Sequence, residues 1–406
     1  MVGKGGGMAK GIGGSDAAAQ LAELTAWPHP AAAISRDERL DRIERARRLM
    51  SKGAADALLV GAGASLRYFT GISWGATERL VAMLLPKHGA PLIICPTFEL
   101  GSLEAELEIT AEIRLWEEDE SPSELVAGAL RDLGATALAI NPAMAFVLAD
   151  RIRRAAPSID MLDGSGIVDG CRKIKSAAEL ALMRQAKAMT LEVQRRAALI
   201  LREGIAASEV IRFIDEAHRA LGASGSSFCI VQFGRSTAFP HGIPGDRHLA
   251  ENDLVLVDTG CTVSGYHSDI TRSYAFGSAD AEVQAMWELE REAQQAAFDA
   301  VQPGIPCEAV DRAARDVLEK AGLGPDYRLP GLPHRTGHGI GLAIHEYPYL
   351  VRGERAPLEP GMCFSNEPMI VVPGRFGVRL EDHFHVTDDG AAWFTHPSPS
   401  IDDPFG

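Results

Sequence analysis

Apolar residues are distributed along the chain in two textures. Between about 35 and 165 they form short runs at 57–60, 80–85, 92–95 and 137–140, separated by Gly, Pro, charged residues or stretches of helical periodicity. Short apolar runs bounded by turn residues predict buried strands. Residues 37–51, with Leu40, Ile43, Ala46, Leu49 and Met50 on one face, predict a helix with Ser35 as N-cap, and 123–133 predicts another. The alternation reads as an α/β domain over 35–165. Pro157, Gly164 and Gly166 place a linker near 160–175, ahead of a long helical pattern over 176–203 entered through Arg172, Lys173 and Lys175. Beyond it, 254–257, 369–372 and 384–386 predict strands, and 288–301 and 307–321 predict helices.

One pattern recurs. Gly204-Ile205 opens a turn into a helix carrying Glu209, Val210 and Ala217 that ends at Leu221-Gly222. Gly304-Ile305, 100 positions on, opens a similar turn into Glu308, Val310 and Ala314, ending at Ala321-Gly322. A duplicated half-domain and a chance match of a common turn-plus-helix both account for this.

Composition narrows the classes. Of 406 residues, 46% are hydrophobic and 23% charged, an ordinary globular balance. The 55 acidic residues against 40 basic ones leave a net charge of −15, which argues against nucleic acid as a partner. No apolar run approaches the roughly 20 residues that span a bilayer, so no membrane role is expected. Residues 1–14 are Gly-rich without the apolar core of a secretory signal, and read as a disordered leader or an expression scar, with Met8 an alternative start. With 15–34 they make a flexible leader and N-terminal extension, followed by domains at 35–165 and 166–406. The six cysteines contain no CxxC pair and read as free thiols in a reducing cytoplasm.

The chemistry concentrates in 225–390. Asp258 ends an apolar strand, and Asp269 follows across a hairpin whose turn lies near 263–265. Alone, each reads equally well as a cap or turn residue. Farther on come His334-Arg335-Thr336-Gly337-His338, then His345-Glu346, Asn366-Glu367-Pro368 and Arg379-Leu380-Glu381. The Gly337–Gly341 segment lacks the Lys-Ser/Thr of a phosphate loop, which excludes nucleotide binding there. Four carboxylates and one histidine suit two divalent ions roughly 3.5–4 Å apart, with imidazole favouring Mn, Co or Zn. Without metal, their convergence would be costly through like-charge repulsion.

The segments VDTG(x8)DITRS, RTGHGIGLAIHE, NEP and VRLED resemble the pita-bread metallopeptidase and creatinase family, closest to its Xaa-Pro branch of aminopeptidase P and prolidase. Residues 35–165 resemble that branch's N-terminal domain in length and texture only. The resemblance implies an α/β creatinase-like N-terminal domain and an α+β pita-bread catalytic domain with an internal pseudo-twofold, which would explain the recurrence. It implies that Asp258, Asp269, His338, Glu367 and Glu381 hold two divalent metal ions, with Mn first and Co or Zn as alternatives. Glu367 would also act as general base to a bridging water. His241 would contact substrate, and His345 the scissile carbonyl or the developing oxyanion. His334 and Arg379 would line the substrate site, with an ion pair to a ligand carboxylate as the lesser alternative for Arg379. Met369 stands where those enzymes usually have glycine, and is expected to reshape the pocket floor. Asp382 and His383 receive no role, His267 a structural one.

The implied activity is hydrolysis of the bond before proline, in Xaa-Pro dipeptides or at the N-terminus of short peptides, by a cytoplasmic homodimer. Proline's tertiary amide lacks an N–H, so a shaped pocket can select it. A metal-dependent hydrolase or lyase of a small non-peptide molecule is the main alternative, and a non-enzymatic scaffold the third.

Overall fold

The computed structural model describes residues 10–406, so Met8 and the remainder of 1–9 lie outside the described residues. Two compact units are present: Ala33–Lys173, and a second that joins the N-terminal residues through Ala32 to Ile174–Gly406.

The second unit begins with α1 (Ala17–Ala22), capped by Asp16, whose Oδ1 accepts from the Ala19 amide at 2.9 Å. The expectation of a flexible leader therefore fails from Lys10 onward. Ile12 is buried in the second unit's core, Leu21, Leu24 and Trp27 pack against it, and the Trp27 amide donates to Leu221 O at 3.0 Å. Leu21 lies in α1 and Ile12, Leu24 and Trp27 flank it; together they cover a face that would otherwise meet water.

In the Ala33–Lys173 unit, α2 (Arg36–Ser51) starts as the pattern predicts, with Ser35 Oγ accepting from the Glu38 amide at 3.2 Å. Helices α3 (Ala64–Thr70), α4 (Leu100–Glu106), α5 (Pro122–Asp132), α6 (Phe146–Ala155) and α7 (Ser165–Arg172) follow. Strands β1 (Ala57–Gly61), β2 (Ala82–Pro86), β3 (Leu92–Pro96), β4 (Glu112–Trp116), β5 (Ala137–Ile140) and β6 (Asp160–Asp163) form one sheet in the order β4-β3-β2-β1-β5-β6. Every residue of β1, β2 and β3 is buried, whereas the edge strands β4 and β6 keep exposed positions. These edges have no continuous apolar run, which is why sequence pattern passes over them.

Residues 160–175, expected as a linker, are instead β6 and α7. Val168 and Cys171 are buried, and Tyr68 Oη donates to Cys171 O at 2.9 Å. The boundary between units thus falls at Lys173/Ile174 rather than at 165/166.

This second unit is built twice. Helix α8 (Ala177–Leu199) opens with a Ser176–Glu179 capping box and leads to α9 (Ala207–Ala220). Helix α10 (Ala281–Asp299) leads to α11 (Cys307–Lys320). The turns between them repeat bond for bond. Gly204 N donates to Leu249 O at 2.7 Å and Gly304 N to Leu358 O at 2.8 Å; Leu249 N returns to Ile205 O, and Leu358 N to Ile305 O. Both glycines have positive φ, +77° and +90°. The recurrence in sequence is therefore a structural duplication and not chance.

Each helix pair backs its own sheet. The first contains β7 (Ser226–Phe233), β8 (Leu254–Val263), the short β9 (Tyr266–His267) and β10 (Ile270–Ala275), with β8 central. The second runs β12-β11-β13-β16-β17, from β11 (Gly337–Gly339), β12 (Glu346–Leu350), β13 (Cys363–Asn366), β16 (Asp382–Val386) and β17 (Ala391–Trp393). A separate ribbon pairs β14 (Met369–Val372) with β15 (Phe376–Arg379). A bridge between Thr271 and Glu381 ties the two halves together.

Candidate metal centre and active site

The first half presents two carboxylates from one hairpin. Asp258 lies on β8 opposite Thr271, and Asp269 immediately precedes β10. The turn is Ser264-Gly265, with φ of 48° and 85°, the two-residue form that matches strand twist. A Cβ on Gly260 would sit 1.9 Å from Ser268 O, so only glycine lets the Asp269 segment approach β8 this closely.

The second half presents its donors from three strands. Glu367 follows β13, Glu381 precedes β16, and His338 is central in β11. Gly337 plays the part of Gly260: a Cβ there would lie 2.1 Å from Ser365 O. His338 Nδ1 donates to Gly339 O at 3.0 Å, which leaves Nε2, 3.1 Å from Glu367 Oε1 and 3.7 Å from Asp269 Oδ2, as the nitrogen that shares a proton with Glu367 or would take a cation in its place. Ser365 Oγ donates to Glu367 Oε1 at 3.0 Å.

Two glutamines, again 100 positions apart, hold the strands that carry these donors. On α8, Gln194 Nε2 donates to Val257 O at 3.3 Å and Ile270 O at 2.5 Å, the neighbours of Asp258 and Asp269. On α10, Gln294 Nε2 donates to Asn366 O at 3.3 Å and Leu380 O at 3.2 Å, the residues preceding Glu367 and Glu381, and reaches Asp382 Oδ2 at 3.3 Å.

All nine site residues expected from the sequence, His241, Asp258, Asp269, His334, His338, His345, Glu367, Arg379 and Glu381, line one cavity of about 530 Å³. Phe228, Ile230, Arg335 and Ile344 line it as well; Arg335 and Ile344 lie inside the RTGHGIGLAIHE segment without having been given a role, and nothing in the local pattern marks Phe228 or Ile230. His345 meets His338 edge-on with ring centroids 4.3 Å apart. Its loop is pinned by the buried Lys175–Glu346 ion pair at 3.0 Å, with Glu346 Oε1 accepting from the Ala343 amide.

Arg379 lines the cavity but its guanidinium is committed. Nη2 donates to Asp258 Oδ2 at 2.6 Å, Nε to Thr271 Oγ1 at 3.1 Å and Nη1 to Pro240 O at 3.1 Å. Thr271 Oγ1 in turn donates to Glu381 Oε2 at 2.9 Å. Arg335 differs: half-buried, its guanidinium lies 4.5 Å over the Tyr349 ring, with no carboxylate partner among the described residues.

Two departures from the family pattern are resolved by packing. Met369 does not form the pocket floor; it is fully buried, with Sδ 3.7 Å from Arg379 Nη1, behind the guanidinium. Asp382 is a structural anchor. It pairs with Arg272 (Nη2–Oδ1 2.8 Å, Nη1–Oδ2 3.1 Å), both fully buried, and accepts from Thr395 Oγ1 at 2.9 Å.

Electrostatically the centre is frustrated without a cation. Burial pushes the Asp269 and Glu381 carboxyls well above their ordinary range, and the neighbouring carboxylates push further. Burial also acts upward on Glu367, but the His338 hydrogen bond and the charges of His338, His334 and Arg379 outweigh it and hold this carboxyl low. Asp258 Oδ1, Asp269 Oδ1, Glu381 Oε1 and both ring nitrogens of His383 are buried without a hydrogen-bond partner among the described residues. Unpaired buried acceptors that face one another are what a divalent cation would satisfy, so the donor set fits one. Two groups of donors stand close enough to share an ion, His338 with Glu367 and Glu381, and Asp269 with Glu381 and His383.

Residues 181–388 match the model of metallopeptidase family M24, and residues 42–174 that of the creatinase/prolidase N-terminal domain. The chain belongs to metallopeptidase family M24. It is a hydrolase with the pita-bread catalytic fold of that family and a creatinase-type N-terminal domain. Members of the family use divalent metals. The probable dipeptidase PepE of Mycobacterium tuberculosis (strain ATCC 25618 / H37Rv) is 39% identical over 362 residues, covering 87% of this chain and 95% of that protein. The crystal structure of dipeptidase PepE from Mycobacterium ulcerans superposes with a TM-score of 0.82 at 36% identity, covering 90% of this chain and 97% of that one. A recombinant prolidase from Thermococcus sibiricus gives 0.81 at 30% identity, covering 90% and 98%. No helix among the described residues is long and apolar enough to cross a membrane.

Proposed function

We propose that this M24 hydrolase is a dinuclear-metal Xaa-Pro peptidase that works on dipeptides, with Asp258, Asp269, His338, Glu367 and Glu381 as the metal ligands. The observation that carries this reading is the convergence of those five donors with His241, His334 and His345 on one cavity. When bound, divalent ions would polarise the scissile carbonyl and make water a better nucleophile near neutral pH.

The chain's own residues supply the rest. Glu367, held as a carboxylate, accepts the proton of the attacking water. Burial and the charges of His338 and Arg335 push His345 down to about 4, so it is a neutral imidazole at neutral pH and donates an N–H to the developing oxyanion. Burial likewise lowers His334. Its Nδ1 donates to Arg335 O at 2.7 Å, which turns Nε2 toward the substrate as an acceptor. His241, exposed at the cavity mouth, contacts the far side of the peptide bond. Arg379 is a positioning residue in this reading, since its donors hold Asp258 and Thr271.

Dipeptides are favoured because Arg335 is a cation in the cavity with no carboxylate partner among the described residues. It is placed to take the free C-terminal carboxylate of a two-residue substrate. The relatives named dipeptidase and prolidase support the same length. Manganese is the leading metal for an oxygen-rich set, with cobalt or zinc next. The six free cysteines suit a cytoplasmic enzyme, and the family resemblance suggests a homodimer.

Product analysis on metal-loaded and chelator-stripped protein tests the reading, with an Xaa-Pro dipeptide and an Xaa-Pro-Xaa tripeptide side by side. Metal-dependent cleavage of the dipeptide, weakened in KM by Arg335→Ala, is expected. Cleavage of the tripeptide alone would make the enzyme an aminopeptidase. Silence on both with metal bound would move it to a small non-peptide substrate.

A further inference from the structure

We propose that His383 is a sixth protein ligand, binding the cation that Asp269 and Glu381 share, so that each of the two metal positions carries one imidazole. The inference rests on the metal-centre reading above and extends it.

The register of β16 puts His383 on the same face as Glu381, two residues before it along the strand and opposite Ser365 of β13. The ring is fully buried, and neither nitrogen has a hydrogen-bond partner among the described residues. A buried imidazole left unpaired loses its hydration without compensation, so a purely structural histidine here would be a poor choice over Phe or Leu. His218, by contrast, is buried with both nitrogens satisfied, by Thr190 and Ser226.

His383 Nε2 lies 3.8 Å from Glu381 Oε1, and that oxygen is itself unpartnered because Thr271 occupies only Oε2. Asp269 Oδ1 is a third orphan in the same group. Donors bonded to one ion at about 2.0–2.2 Å sit roughly 3–4 Å from each other; His383 Nε2 and Glu381 Oε1 have that spacing, and the ligand atoms of the three residues all lie within 4.8 Å of one another. Glu381 belongs to both donor groups, and His338 supplies the imidazole of the other. The five-residue set alone would give an all-oxygen position beside a mixed one. With His383 both positions are mixed, which favours cobalt, zinc or ferrous iron over magnesium or calcium at the Asp269 side.

The test uses the full chain, stripped with chelator and reloaded with Co(II) alone. Binding is read by calorimetry and the imidazole count by X-ray absorption. The unmodified chain should bind two equivalents with one imidazole per cobalt. His383→Phe should weaken one equivalent by about tenfold or more and reduce the count to one imidazole per two cobalt ions. Thermal unfolding of the metal-free forms separates a packing role, which would move their stability without changing the cobalt signature. One imidazole per two cobalt ions in the unmodified chain would overturn the inference whatever the variant does. Unchanged affinity and count in His383→Phe, with His338→Phe losing its imidazole, would overturn it while leaving the metal-centre reading intact. No cobalt binding by the unmodified chain would overturn both.

Discussion

The two halves of the catalytic unit share a scaffold to the level of single hydrogen bonds, yet their interiors differ. Gln194 and Gln294 take matching places on α8 and α10, each bridging the two strands that carry its half's carboxylates. Four residues before each glutamine the likeness ends. Thr190 in the first half bonds Ser268 Oγ at 2.7 Å and His218 Nε2 at 3.1 Å. The corresponding positions 100 residues on are Glu290 and Leu318, both buried. The first half buries a satisfied polar triad, and the second a carboxyl and an apolar side chain at the matching positions. Duplication conserved what spaces the donors and left the packing behind them free to diverge.

Removing a donor should break the site across both halves. Asp269→Asn should lower metal content and turnover together, by more than about 100-fold in rate. Normal occupancy by elemental analysis would exclude Asp269 as a ligand.

The glutamines sharpen the comparison next. Gln294→Leu leaves two carbonyls and Asp382 without their amide donor, and Gln194→Leu leaves two carbonyls. At about 1–3 kcal/mol per unpaired group, both should lower the urea midpoint, Gln294→Leu the more. Equal effects would mean that the Asp382 contact adds nothing.

Acid and alkali should probe the halves separately. Burial pushes His218 down to about 4 from 6.5, so the folded state refuses a proton that the unfolded chain accepts. Stability is then full above about 6.5 and falls toward pH 4, by at most about 3 kcal/mol. His218→Leu, which copies position 318, should flatten that slope in denaturant titrations. Glu290 has the opposite sign. Burial raises it well above 4.5, and the Leu380 amide and Arg379 charge offset this only in part, so its contribution is full below about 4.5 and is lost as pH rises. Glu290→Gln should remove that loss, and an unchanged pH slope would show that Glu290 titrates normally.

The smallest effect is expected at Met369. Because its side chain packs behind Arg379 and not in the cavity, Met369→Leu should leave KM for a dipeptide within about twofold and lower stability by less than about 1.5 kcal/mol. A large KM change would return it to the pocket floor.

Several of these features were legible in the chain alone. Ser35 and Ser176 cap helices where the apolar period begins, and 137–140 and 369–372 are strands over the lengths their apolar runs indicate. The edge strands β4 and β6 were not legible, because one exposed side removes the run that marks a buried strand. Residues 10–32 look like a leader for a related reason: four apolar residues among many small ones carry little local signal until a core receives them.

By itself the sequence determined the chemical inventory: which carboxylates and imidazoles exist, the glycines at 260 and 337 that permit close strand approach, and the 100-residue recurrence. Only the tertiary structure decided how that inventory is used. It committed Arg379 to Asp258, retired Met369 behind the guanidinium and, among the described residues, drew Arg335 into the cavity without a carboxylate partner and set His383 against Glu381 with neither nitrogen hydrogen-bonded. The physical reason is range. Periodicity and capping are encoded within a few turns of chain, whereas a donor's role depends on distances of 3–4 Å between residues far apart in sequence, and those are set by how the two halves pack.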